Sequence, residues 1–219
     1  MSNLDNFSIS TYIIGSKDNI YRTNHVEEQF SDKEEFSVVH ELGPDISATD
    51  GHWNWQNLYG IIEHANSSEE DDLIIICRDN HEFAPSYNKT LFLENVVLAY
   101  ELGADILLGG VINFDDSVRI NENLFWLNEF NEPMFMVIYR KFFKTILEIG
   151  GTSDYLIDYL IATNSKNIMI TYPFVSVSRC FGPAEKVESI DPILFFRAER
   201  RFKFISDAYR KYILAKNSS

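Results

Sequence analysis

The chain is poor in several things. It has two cysteines, six prolines and ten glycines in 219 residues, and no apolar run approaches the length of a bilayer. Two cysteines, Cys77 and Cys180, imply no disulfide framework, so a reducing compartment fits and a cytoplasmic location is expected. Without a long apolar run, no membrane-spanning helix is expected. Residues Met1 to Gly15 lack a basic leader and a long apolar segment, so no signal peptide is read there. Positive charge is also scarce. Nineteen Lys and Arg stand against 33 Asp and Glu, a net charge of −14. That disfavours binding along a nucleic-acid backbone, which needs clustered Lys and Arg. No Pro/Gly linker, internal repeat or low-complexity tract divides the chain. A single domain over 1–219 is expected, with a C-terminal helical segment over about 190–216.

What is present is a core-forming composition, 45% hydrophobic and 24% charged, with 17 Phe and 11 Tyr. The length suffices for one sizeable α/β domain. The acidity is uneven: Glu27 to Glu35 and Glu69 to Asp72 are acidic, whereas Arg197 to Lys216 is basic. Such runs read first as solvated faces. Peripheral contact with an anionic membrane is the lesser reading of the basic end. Its aromatic residues read as core or as a homodimer face.

Strands are expected at Ser8–Ile14, Phe36–His40, Leu73–Cys77, Asp105–Leu108, Glu122–Leu127, Met134–Tyr139 and Asn167–Tyr172. Helices are expected at Asp18–Phe30, His52–Ala65, Tyr87–Leu102 (capped by Ser86), Arg140–Ile149, Asp154–Ala162 (capped by Ser153) and, in one or two pieces, Asp191–Lys216. Gly103 reads as the residue closing the third helix, and Gly43-Pro44-Asp45 as a turn. Strands alternate with helices as far as Gly110, then strands pair. The expected architecture is α/β, a Rossmann-type mixed sheet with helices on both faces.

The densest chemistry lies at Leu73-Ile74-Ile75-Ile76-Cys77-Arg78-Asp79-Asn80-His81-Glu82-Phe83. The apolar run does not alternate, so it reads as a strand buried on both faces. Ligands of open α/β sheets bind beyond the carboxyl ends of such strands. Asp79 and His81 lie two apart, on one side of an extended segment, and could hold a divalent cation. The alternative is a solvated strand end running into a turn.

Several segments in order resemble the family 25-type glycosyltransferases of cell-envelope glycan and lipopolysaccharide synthesis. They are Thr11-Tyr12-Ile13-Ile14, Tyr21-Arg22, Val26-Glu27-Glu28-Gln29-Phe30, Trp55 to Ala65, Ile74 to Phe83, Glu101 to Val111, and Tyr172 to Ser178 with Phe181-Gly182. The resemblance runs to about Val187. It implies a GT-A-like fold and a nucleotide-sugar donor, a UDP-sugar first. It further implies a glycan or lipid-linked acceptor hydroxyl, and a divalent metal (Mn or Mg) on an acidic motif that bridges the diphosphate. Where relatives carry Glu-Asp-Asp, this chain has Arg78-Asp79-Asn80. Three consequences are open. Asp79 and His81 hold a metal weakly, Arg78 takes over part of the metal's work on the diphosphate, or the chain binds a nucleotide-sugar, or serves as a scaffold, without turning it over.

Individual residues carry candidate roles, those of Arg22 and Asp154 implied by the resemblance, each with a plainer alternative. Arg22 would lie near the nucleotide, or pair with Glu27 or Glu28. Asp79 would contact ribose or metal, or cap a turn. His81 would ligate the metal, or be a hydrogen-bonded structural residue. Gly109 and Gly110 would let the backbone approach sugar or acceptor, or make a turn at positive φ. Asp154 would be the general base, or sit favourably at a helix N-terminus. Trp53 and Trp126 would stack on sugar or base, while Trp55 has core spacing. His52 and Trp53 would line the mouth of the site.

Overall fold

A computed structural model of the protein describes residues 7–15, 19–39, 55–68, 71–149, 157–181 and 192–217. The described elements run β1 (Ile9–Ile14), α1 (Ile20–Phe30), β2 (Phe36–Val39), α2 (Trp55–Ser68), β3 (Leu73–Arg78), β4 (His81–Phe83), α3 (Lys89–Glu101) and β5 (Ile106–Gly110). They continue through β6 (Asn113–Phe114), β7 (Ser117–Arg119), β8 (Leu124–Leu127), β9 (Phe130–Asn131), β10 (Phe135–Tyr139), α4 (Arg140–Ile149), α5 (Ile157–Asn164), β11 (Ile168–Thr171), β12 (Ser176–Ser178) and α6 (Pro192–Asn217).

Among the described residues the main sheet has eight strands in the order β2-β1-β3-β10-β5-β11-β8-β7. β1 is parallel to β2 on one side and β3 on the other, whereas β10 is antiparallel to both β3 and β5. The mixed α/β class expected from the sequence is therefore the class observed. Alternation along β3 explains its unbroken apolar run. Ile74 and Ile76 pack into a layer with α2, α4, α5 and α6, whereas Leu73, Ile75 and Cys77 pack into the opposite layer with α1 and α3. Both faces of the strand are covered, so neither needs polar residues. Ile74, Ile75 and Ile76 are fully buried, each worth roughly 1.5–3 kcal/mol of apolar burial.

Several boundaries differ from the sequence expectation. The third helix begins at Lys89, because the Asn88 side chain, not Ser86, accepts the first-turn N–H of Leu91. Ser86 Oγ instead donates to the Phe174 carbonyl. Tyr87 is held outside the helix, its hydroxyl donating to Glu35 and its ring packed on Phe83. Gly103 closes the helix at φ 73°, as expected. The strand expected to stop before Gly109-Gly110 runs through both glycines. The short strands β4, β6, β7, β9 and β12 lacked any periodicity long enough to read. His52, Trp53, Gly43-Pro44-Asp45, Ser153 and Asp154 lie outside the described residues.

Candidate functional site

The chain leaves β1 toward β2 on one side and returns through α2 to β3 on the other. This reversal opens a crevice at the carboxyl ends of β1 and β3, the place where open α/β sheets bind ligands. The two ends are tied together there: the Asp79 N–H donates to the Ile14 carbonyl at 2.9 Å. One turn into α1, Arg22 Nη1 lies 2.6 Å from Asp79 Oδ1, with side-chain exposures of 14% and 5%. The carboxylate sits directly over Gly15, where an added Cβ would fall 2.1 Å from Asp79 Cγ. Gly15 is thus required for this placement by space.

Beside this pair, Asn80 Nδ2 donates to Ser178 Oγ at 3.3 Å, and the Asn80 carbonyl accepts the Arg179 N–H at 2.8 Å. Asn80 Oδ1 is buried and has no hydrogen-bond partner among the described residues. Arg179 is exposed at its side chain and lies 3.1 Å from His25 Nδ1. His25 Nε2 lies 2.6 Å from the His81 carbonyl. The carbonyl can only accept, so Nε2 carries the proton and Nδ1 accepts from Arg179. Burial, helped by the Arg179 charge, moves the His25 pKa down, keeping the ring neutral. The Phe181 ring gathers the group. Arg22 and Arg179 lie 5.7 and 5.4 Å from its centroid, and the His25 ring meets it edge-on at 5.1 Å.

Arg78 points to the other face of the sheet, as strand alternation demands. Its Nη2 lies 2.7 Å from Glu132 Oε2. Glu132 has φ 51°, and its N–H donates to Asp158 Oδ2 at 2.7 Å. Burial raises the Asp158 carboxyl to about 6, against the opposing pull of that N–H and of Arg78. Burial also lowers the Arg78 pKa, opposed first by the Glu132 charge. Arg78 is therefore committed to the half-buried carboxylates of Glu132 and Asp158.

His81 is buried among the rings of Phe30, Phe83 and Phe135, with Nδ1 2.6 Å from Ser176 Oγ. Burial lowers its pKa to about 3, and Nε2 has no hydrogen-bond partner among the described residues. The two-apart spacing of Asp79 and His81 fails to make a cation site, because the chain turns at Asp79-Asn80 before His81 begins β4. Asp79 is ion-paired to Arg22, and His81 sits in an aromatic layer. Among the described residues no group of three or more His, Cys, Asp or Glu side chains is placed to hold a metal ion. This donor set does not fit a divalent cation.

Gly109 and Gly110 serve the chain's own packing. An added Cβ would fall 2.9 Å from Phe135 Cδ1 at Gly109 and 2.2 Å from the Ser176 carbonyl at Gly110. Close backbone approach is real at Gly110, but what approaches is β12. Neither glycine has positive φ, so the turn alternative does not hold either. Trp55, the first residue of α2, is buried in the core layer, as its spacing suggested.

The structure thus brings Arg22, Asp79 and Asn80 to one crevice, sends Arg78 to the opposite face, and keeps His81 inside. Asp154 lies outside the described residues. Sequence reasoning passed over Gly15, Arg179, Phe181, Glu132 and Asp158 as site components. Only Gly15, ending the first expected strand, carried a local signal.

No protein-family model matches the chain, and no curated protein matches it. Solved structures do resemble it. A197 from STIV aligns over 80% of this chain and 86% of its own, at 11% identity and a TM-score of 0.52. A glycosyltransferase involved in the glycosylation of the major capsid of PBCV-1 aligns over 81% and 96%, at 12% identity and a TM-score of 0.48. Apo UDP-glucose pyrophosphorylase aligns over 94% and 82%, at 10% identity and a TM-score of 0.46. At such identities the likeness is one of fold alone. No described helix is long and apolar enough to cross a membrane.

Proposed function

We propose that the protein binds a nucleotide-sugar, a UDP-sugar first, in the crevice between β1 and β3, and transfers the sugar to a hydroxyl of a glycan or lipid-linked acceptor. The observation that carries this reading is the Asp79–Arg22 pair seated over Gly15 at the strand reversal. A carboxylate there suits the paired hydroxyls of a ribose. A guanidinium beside it suits a diphosphate, which it can bind through two parallel hydrogen bonds. Asn80 Oδ1, buried and without a hydrogen-bond partner among the described residues, suits an N–H of the base or a hydroxyl. Arg179, stacked with Arg22 around the Phe181 ring, offers a second cation.

In this reading the negative charge of the leaving nucleoside diphosphate is met by Arg22 and Arg179. Arg78 keeps its place against Glu132. No step is routed through a metal. The proton of the acceptor hydroxyl needs a carboxylate base. Asp154 is the candidate.

A second reading, nucleotide-sugar binding without transfer, is favoured by one observation: the single acid retained in the motif, Asp79, is already neutralised by Arg22. Calorimetric titration with UDP and a panel of UDP-sugars, with and without Mn²⁺, separates the cases. Micromolar binding that survives chelation and falls at least tenfold in both Asp79→Ala and Arg22→Ala is expected. UDP release in the presence of acceptor glycans supports transfer, and binding without release supports the second reading. No binding to any member of the panel overturns both.

A further inference from the structure

We infer that the outward face of α6 is a docking surface for an anionic phospholipid bilayer. The inference is independent of the nucleotide-sugar reading, since α6 supplies none of the crevice residues.

Among the described residues the 26-residue helix buries one stripe. Phe195, Ala198, Phe202 and Ser206 are buried at spacings of three and four, the signature of a single covered face. After Ser206 no residue through Lys216 is buried. The opposite face is neither polar nor inert. Phe196, Phe204 and Tyr212 are 55%, 75% and 63% exposed. Arg197, Arg200 and Lys203 stand exposed between them. Arg197 and Arg200 make no ion pair among the described residues and border a shallow depression of about 390 Å³ whose floor includes Phe204 and Ile205.

Charge decides among occupants. The helix carries seven Lys and Arg against Glu199 and Asp207, a net +5 in a chain whose total is −14. The remainder of the chain is correspondingly more acidic, so basic residues are concentrated on this helix. A second copy docking there through the same face would set Arg197, Arg200 and Lys203 against their own counterparts, which opposes self-association. A nucleic-acid duplex would use the cations and leave the rings idle, and the −14 charge of the chain disfavours a polyanion partner that must approach its whole surface. A bilayer uses both. Phosphate headgroups pair with Arg197, Arg200 and Lys203, while Phe196 and Phe204 enter the headgroup–acyl boundary. The helix would lie flat in the interface and would not span it.

The test uses the full chain in co-sedimentation with sucrose-loaded vesicles, either pure phosphatidylcholine or three parts phosphatidylcholine to one of phosphatidylglycerol. Each is run at low and high salt. Expected is binding to the phosphatidylglycerol vesicles only, weakened by salt. Arg197→Glu/Arg200→Glu/Lys203→Glu should lose on the order of 100-fold or more, since each basic residue near an anionic surface is worth roughly fivefold. Phe196→Ser/Phe204→Ser should lose at least tenfold. All substituted side chains are exposed, and unchanged circular dichroism and unchanged UDP titration serve as controls. Absence of binding to phosphatidylglycerol vesicles overturns the inference. So does binding that the Phe variant leaves intact while single-stranded DNA competes it away, which marks a general polyanion surface. So does concentration-dependent self-association abolished by the Phe variant without vesicle binding.

Discussion

The carboxylate of Asp79 occupies the space that a side chain on Gly15 would need. The two residues are 64 positions apart yet form one packing unit: an added Cβ at Gly15 would lie 2.1 Å from Asp79 Oδ2. Both terminate neighbouring parallel strands that end level with each other. Gly15→Ala should therefore displace Asp79 and weaken UDP binding by tenfold or more, with a modest loss of thermal stability. Calorimetry and a melting curve on the same preparation check this. Unchanged affinity would remove Asp79 from the ligand's surroundings.

The Arg22–Asp79 pair is nearly buried, so each partner is costly to remove alone. A single Arg22→Ala or Asp79→Ala substitution removes this pairing from the other, nearly buried charge, a loss of up to roughly 3–5 kcal/mol for buried pairs. The double variant should lose less than the sum of the singles, with a coupling of about 1–3 kcal/mol. Urea denaturation of the four proteins completes the cycle. Additivity would mean that other contacts of these side chains hold them in place.

His81 gives the fold an acid sensitivity. Its pKa falls from 6.5 unfolded to about 3 folded. Between those values the unfolded chain binds the proton that the native chain refuses, so stability is full above pH 6.5 and declines as pH falls toward 3. At pH 4.5 the His81 contribution lost is roughly 2–3 kcal/mol. His81→Phe keeps a ring among Phe30, Phe83 and Phe135 and gives up the bond to Ser176. The variant should be less stable than the parent at pH 7.5, and the gap should narrow or reverse at pH 4.5. A constant gap in urea midpoints across that range would refute it.

Asp158 acts in the opposite sense. Its folded pKa of about 6 lies above its ordinary 3.8. The native state holds the proton more tightly, so this group favours folding below about pH 4. Its contribution falls away as pH rises to 6 and stays low above it. Asp158→Asn removes that decline, so the variant should gain on the parent between pH 4 and 7 by up to roughly 2 kcal/mol. UDP binding should hold in this variant, since Asp158 sits with Glu132 and Arg78 on the face away from Asp79. Urea midpoints at the two pH values and a UDP titration check both points.

Gly110 is expected to be intolerant for a structural reason. Gly110→Ala would drive a methyl to 2.2 Å from the Ser176 carbonyl, which is backbone and has little room to give. Overpacking of this kind costs about 1–3 kcal/mol or more. Because β12 pairs with β4 and carries the chain on to Arg179, the same variant should also weaken UDP binding. A large drop in melting temperature with unchanged affinity would separate β12 from the crevice.

The sequence by itself determined the layered α/β class, and the reason is local. Leu73 to Cys77 is too uniformly apolar to face water on either side, and the 3.6-residue spacing of Trp55, Leu58, Ile62 and Ala65 needs a wall to rest on. It also marked Asp79 and Asn80, because they follow a doubly buried strand whose carboxyl end is where such sheets bind ligands, whereas Arg22 was marked by the family resemblance. What it could not determine was direction and company. A chain reversal at Asp79-Asn80 sends His81 into an aromatic layer, and strand alternation sends Arg78 to the face opposite Asp79. Gly15, Arg179 and Phe181 join the crevice from 64 residues before Asp79 and about 100 after it. Those placements depend on strand order, which fixes where distant ends of the chain meet and leaves no periodicity in the sequence to announce it.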